Sequence, residues 1–204
     1  VDFCAEGGMI DQSGRDLSLM RAPIEPIRRA LAAARRAGLM IVHTREGYAP
    51  DLSDNPAMRR ARQVLTGKAT GDTGPLGRFL VRGEPCWEII PELRPSPGET
   101  IIDKPGYGAF HRTDLDERLK RRGIRRLVLT GVTTDCCVAS TLREAEDRGY
   151  ECLVLEDCCA APNAAAHRAA IDFVKERRIF GTMAPAAAFA RALESIPAAR
   201  PAAE

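Results

Sequence analysis

The chain contains no run of eighteen apolar residues, the length a helix needs to cross a bilayer, and no basic-then-apolar leader pattern. Nothing in it therefore reads as a membrane span or a secretory signal. Aromatic residues are scarce, with one Trp, three Tyr and six Phe in 204 residues, and none is interleaved with a compact Lys/Arg stripe. That removes the main signature of a nucleic-acid surface. Charge of neither sign dominates, since 30 Lys and Arg face 28 Asp and Glu. The seven cysteines include no C-x-x-C pair, their number is odd, and four of them are vicinal, as Cys136-Cys137 and Cys158-Cys159. This suits neither a disulfide framework nor a zinc knuckle; reduced thiols, a cytoplasmic location and no metal are expected. His43, His111 and His167 are dispersed, and a lone His43 at a strand end reads as a hydrogen-bonded structural residue. A nucleotide cofactor has no support, because Gly106-Tyr107-Gly108 is not followed by a third glycine at the fingerprint spacing.

What is present is enough apolar residue, 45% of the chain, to bury one sizeable core, so a single domain over 1–204 is expected, with 197–204 as a frayed tail. Apolar runs alternate with helical periodicity. Helices are expected over 26–37 (ending at Gly38), 56–65, 114–122, 163–177 and 186–193, and strands over 39–42, 100–103, 126–130, 151–155 and 179–183. Strand-helix alternation argues a mostly parallel sheet covered on both faces, a three-layer α/β/α, doubly wound fold. Arg28, Arg29, Arg35 and Arg36 read as the solvated face of the first long helix. The Gly, Pro and charge-rich excursion from 44 to 98 is too long to be featureless and is expected to form a pocket rim or a subunit interface.

Two stretches carry chemistry. In Gly131-Val132-Thr133-Thr134-Asp135-Cys136-Cys137-Val138 a short apolar strand runs into a helix, with Thr134 or Asp135 as the expected N-cap and a thiol in the first turn. Unpaired backbone N–H groups and the positive end of the helix dipole favour thiolate there, and the same N–H groups can hold an oxyanion. In Ile101-Ile102-Asp103-Lys104-Pro105 an apolar strand ends in a lysine, which in a parallel sheet faces the crevice where such folds bind ligands. A structural thiol is the plainer reading of the first stretch, and the second shifts the balance towards a reactive one.

At these two stretches the chain resembles the isochorismatase-like cysteine hydrolases, and the resemblance extends over nearly its whole length. It implies Cys137, and not Cys136, as nucleophile, because the family motif G-hydrophobic-x-T-D-x-C-V falls on Gly131 to Val138. It also implies Lys104 as the catalytic lysine, followed by Tyr107 and Phe110 in a K-P-x-x-x-x-F arrangement, and a cis peptide at Val132-Thr133 whose N–H joins that of Cys137 around the oxyanion. Within the family the chain is most similar to members acting on small ureido compounds, biuret hydrolase and ureidoacrylate amidohydrolase. The supporting runs include Gly14-Arg15-Asp16-Leu17-Ser18-Leu19 and His43-Thr44-Arg45-Glu46-Gly47, and Tyr107 looks more like the ureidoacrylate branch. Thr44-Arg45-Glu46 does not reproduce the Asp and His metal cluster of nicotinamidases.

The family's central first strand ends in D-x-Q-x-D-F, of which Asp2-Phe3 matches only the last two residues. The resemblance therefore implies that the first central strand is missing from this chain and that the catalytic aspartate lies upstream of Val1. Carried over, the chemistry is amide hydrolysis through a thioester, releasing ammonia from a small amide or ureido substrate. Phe3, Trp87, Tyr107 and Phe110 are candidates for the substrate wall, each equally compatible with plain core. A homo-oligomer is expected. The competing readings are a catalytically inactive domain that keeps the fold and oligomer contacts, and a redox-sensitive thiol protein.

Overall fold

The computed structural model describes residues 1–65 and 67–195; the expected 197–204 tail lies outside them. Its strands are β1 (Val42–Glu46), β2 (Thr73–Gly74), β3 (Gly77–Arg78), β4 (Thr100–Lys104), β5 (Arg126–Val132), β6 (Glu151–Ala160) and β7 (Thr182–Ala184). Its α-helices are α1 (Met9–Gln12), α2 (Leu17–Arg21), α3 (Ile24–Arg36), α4 (Ala57–Val64), α5 (Leu115–Arg121), α6 (Ala139–Glu146), α7 (Ala164–Arg177) and α8 (Ala186–Glu194).

The architecture is the expected doubly wound α/β/α arrangement. β6 shows why: its residues alternate between two cores. Cys152 and Val154 pack with Leu115, Leu119, Leu142, Ala145 and Val174, from α5, α6 and α7. Leu153 and Leu155 point the other way, against Ile27 and Ala30 of α3 and Ala186 and Phe189 of α8. A strand buried on both faces needs helices on both, which the period-two alternation of side chains enforces. The helices end where their sequences dictate. α3 carries Glu25 in its first turn and Arg35 and Arg36 in its last, matching the helix dipole, and stops at Gly38, whose φ of +68° a side chain would resist. α7 begins at Asn163, whose side chain accepts from the N–H groups of Ala165 (2.9 Å) and Ala166 (3.1 Å).

The first expected strand is misplaced. Residues 39–41 precede the strand, which runs Val42–Glu46, because its extent is set by its parallel partner β4, with Val42 opposite Thr100 and Glu46 opposite Lys104. β6 is twice the expected length, since Cys159 and Ala160 continue pairing with Gly131 and Val132 beyond an irregularity in β5. The 44–98 excursion holds α4, the small antiparallel β2–β3 hairpin and an isolated bridge between Tyr48 and Val81. Asp2 pins it to the N-terminal segment: its buried carboxylate accepts from Leu80 N (2.7 Å) and Met9 N (3.3 Å). Burial raises the Asp2 pKa, with those N–H groups opposing.

Among the described residues the parallel strands form two separate groups, β1–β4 and β5–β6–β7, and β1 does not pair with β5. Residues 39–46 and 126–132 instead line one cavity of about 480 Å³, closed by Ala30, Leu31 and Ala34 of α3 and by Leu115 and Leu119 of α5. The apolar slot lies between two sheet edges, those of β1 and β5.

Candidate active site

Register places the first pair of polar groups. Because β1 and β4 are parallel and Glu46 sits directly opposite Lys104, both side chains emerge at the carboxyl ends of neighbouring strands, the crevice side of an α/β sheet. Lys104 Nζ lies 3.3 Å from Glu46 Oε2. It also reaches Gly106 O (2.7 Å), Tyr107 O (3.0 Å) and Cys137 Sγ (3.6 Å), so three ammonium protons are shared among four acceptors. Cys137 donates its thiol proton to the same Glu46 oxygen at 3.2 Å. All three residues are buried. A thiol, an ammonium and a carboxylate thus meet at one point, contributed by the ends of β1 and β4 and the turn after β5.

That turn departs from the expectation in two ways. Thr134–Val138 winds as a π turn before α6 begins, with Val138 N donating to Thr133 O at 3.0 Å; such insertions recur at functional sites. The N-cap is Thr133, and no side chain caps it, whereas Thr134 or Asp135 was expected. Thr134 Oγ1 instead meets His167 Nδ1 at 2.9 Å. The Val132-Thr133 peptide is cis, as the resemblance implied.

The resting state of the thiol also differs. Cys137 has its pKa raised well above that of a free thiol, first by its hydrogen bond with Cys136, then by burial and by the Glu46 charge, with Lys104 opposing. The same bond lowers the pKa of Cys136, against its burial. Expectation from the helix dipole alone favoured thiolate; here the adjacent thiol and carboxylate outweigh it. Cys137 thus holds its proton more firmly than a free thiol, and that proton is directed at the Glu46 carboxylate.

The four candidate wall residues separate. Phe3, Trp87 and Phe110 line the slot together with Glu46, Lys104 and Cys137. Phe110 also stacks on Tyr150 with 5.7 Å between ring centroids, so it is core as well as wall. The Arg45 guanidinium carbon lies 3.6 Å from the Trp87 ring centroid, and the buried Trp87 Nε1 has no hydrogen-bond partner among the described residues. Tyr107 does not line the slot and is 37% exposed, and it meets the site through its carbonyl, which accepts from Lys104 Nζ at 3.0 Å. His43 is structural, its Nε2 bonding Glu99 at 2.8 Å.

Sequence reasoning missed Glu46, Tyr48 and Arg59. Tyr48 Oη donates to Glu46 Oε1 (3.3 Å) and accepts from Arg59 Nη1 (2.7 Å), which extends the polar site outward to α4. Glu46 was legible only with the right end for β1; placing that strand over 39–42 left it in a loop. Among the described residues no cluster of His, Cys, Asp and Glu is arranged to hold a metal ion.

The K-P-x-x-x-x-F turn is tightly constrained. A methyl on Gly108 would overlap the Glu144 carboxylate, which accepts from Phe110 N at 3.1 Å. Gly108→Ala is expected to cost about 1–3 kcal/mol in denaturant unfolding through that lost bond. No change in midpoint would show that Glu144 relocates freely.

A doubly wound sheet with polar groups converging at its strand ends defines an enzyme of the three-layer α/β class. Residues 1–188 match the isochorismatase domain. A ureidoacrylate amidohydrolase, RutB, of Methylorubrum extorquens is 34% identical over 209 residues, covering 97% of this chain and 81% of that protein. The RutB of Cronobacter turicensis is also 34% identical, over 87% of this chain and 75% of its own. Among solved structures, a cysteine hydrolase from Pseudomonas syringae pv. phaseolicola superposes with a TM-score of 0.79 at 28% identity, over 95% of this chain and 88% of that one. An N-carbamoylsarcosine amidase from Thermoplasma acidophilum gives 0.66 at 28%, over 84% and 87%. The chain belongs to the isochorismatase domain family and is a hydrolase of that family. No helix among its described residues is long and apolar enough to cross a membrane.

Proposed function

We propose that the protein hydrolyses a C–N amide bond of a small ureido compound through a thioester on Cys137. The observation that carries this is the shared contact at Glu46, which receives the thiol proton at 3.2 Å while Lys104 stands 3.6 Å from the sulfur. As substrate approaches, the proton passes from Sγ to the carboxylate and sulfur attacks the carbonyl carbon. The Thr133 and Cys137 N–H groups hold the oxyanion. On collapse the C–N bond breaks and the proton goes to the departing nitrogen, giving ammonia. Water, deprotonated by the same carboxylate, then cleaves the thioester and restores the thiol. The similarity to ureidoacrylate amidohydrolases and to an N-carbamoylsarcosine amidase favours a ureido substrate, ureidoacrylate or biuret in type.

The slot supports a second assignment of the base. A strand ahead of Val1 seated between β1 and β5 would satisfy both open edges and bring the aspartate that the resemblance implies beside Lys104 and Cys137. The test is ammonia release from ureidoacrylate and from biuret, by the 204-residue chain and by a chain extended upstream through its own coding sequence, each with and without Glu46→Gln. Turnover by the 204-residue chain that Glu46→Gln abolishes makes Glu46 the base. Turnover that appears only on extension and survives Glu46→Gln assigns it to the upstream strand. Ammonia from neither substrate in any form would overturn the ureido reading.

A further inference from the structure

We infer that the Arg59 guanidinium docks a carboxylate on the substrate, so that this hydrolase prefers ureido acids to neutral ureides. The inference rests on the amidohydrolase reading above and adds the residue that chooses among its substrates.

Arg59 stands on α4 and reaches the backbone that follows Lys104. Its Nη1 donates to Tyr48 Oη (2.7 Å) and to Pro105 O (3.1 Å), and Pro105 directly follows Lys104. Its guanidinium carbon stands 4.6 Å from the centroid of the Tyr107 ring. Tyr107 is itself tied to the site, because its carbonyl accepts from Lys104 Nζ at 3.0 Å. The Tyr107 hydroxyl has its pKa raised first by burial and then by the charge at Cys136, while the Arg59 guanidinium opposes them. Arg59 is thus fixed by one nitrogen and one ring face, two hydrogen bonds away from the carboxylate that faces the nucleophile.

The remaining guanidinium nitrogens, Nε and Nη2, have no acceptor among the described residues, and no carboxylate there pairs with Arg59. Of the other arginines on the excursion, Arg78 pairs with Glu84 at 2.9 Å and Arg82 with Asp54 at 2.7 Å, whereas Arg60 on the same helix bonds the Leu52 carbonyl at 3.0 Å. Arg45, over Trp87, is held by both Asp103 and Glu88. Within the site the Lys104 charge is already matched by Glu46. A braced guanidinium with two unbonded nitrogens and no carboxylate in ion-pair contact among the described residues suits one ligand group best, a carboxylate bound by two parallel N–H bonds. A neutral ureide makes no use of it. A linear acid with a ureido group at one end and a carboxylate at the other can present its carbonyl to Cys137 and its carboxylate to Arg59.

The probes are 3-ureidopropionate, a ureido acid, and biuret, a neutral ureide. Calorimetric titration of Cys137→Ser protein, with and without Arg59→Gln, reads binding without turnover. Arg59→Gln is expected to weaken 3-ureidopropionate about 10- to 100-fold and to leave biuret within about twofold. Arg59→Lys should recover part of that loss, since the charge stays and the fork is gone. In the Cys137 enzyme the loss should appear in KM for the acid with kcat little changed. Equal weakening of both probes would make Arg59 a brace for Tyr48 and overturn the inference, as would no weakening of either, or no binding of 3-ureidopropionate to the parent. Selective binding without ammonia release from any ureide would instead overturn the hydrolytic reading and leave the carboxylate dock standing.

Discussion

Replacing Cys137 by alanine should abolish hydrolysis, lowering kcat by at least roughly a thousandfold, because the covalent route has no other nucleophile at that position. Cys136 is adjacent but does not share the contacts. The groups that meet Cys137 Sγ are Glu46 at 3.2 Å and Lys104 at 3.6 Å, whereas Cys136 lies further out and is only partly buried. Cys136→Ala should therefore keep most of the turnover. It should also ease ionisation of Cys137, since the bond between the two thiols is the largest influence holding the Cys137 pKa up. The rate should then reach its plateau at lower pH than in the parent. The measurements are steady-state ammonia release and mass mapping of the sulfur acylated when substrate is quenched early. Acyl group found on Cys136, or turnover retained by Cys137→Ala, would refute the assignment.

Lys104→Met should lose activity and stability together. Lys104 is 3% exposed, and its ammonium touches a Glu46 that is 9% exposed. Taking it away leaves a carboxylate buried without its counter-ion, a change that typically costs about 3–5 kcal/mol. In a domain of this size that lowers the melting temperature by roughly 6–20 °C. The double substitution Lys104→Met with Glu46→Gln removes both charges and should restore much of the melting temperature while turnover stays lost. This separates the catalytic role of the pair from its structural one. A stable, inactive single variant would mean that Glu46 relaxes to solvent or takes up a proton. A single variant with parental turnover would exclude Lys104 from the chemistry.

The legibility of the site differed residue by residue. Cys137 and Lys104 stand in short local patterns, a strand-turn-helix and a strand ended by proline, whose physics is contained in a few neighbouring residues. Glu46 stands 58 positions from Lys104 and 91 from Cys137. Nothing local marks it, and its role depends on the register of a parallel pair, which neither strand encodes by itself. Tyr48 and Arg59 depend on the same long-range closure. The thiol pKa differed for a related reason: the dipole of a helix can be inferred from the helix, but the opposing Glu46 carboxylate reaches the thiol only once β1 and the turn after β5 have met.

By itself the sequence determined the alternation of strands and helices, the covering of the parallel sheet on both faces, and the helix ends at Gly38 and Asn163. Each follows from side-chain periodicity, capping or backbone preference within about a turn or a strand length. Only the tertiary structure decided where β1 ends, which carboxylate faces the thiol, and that the two groups of parallel strands leave a slot between β1 and β5. These are matters of pairing between distant segments, where free energy comes from edges satisfied and charges matched across the fold.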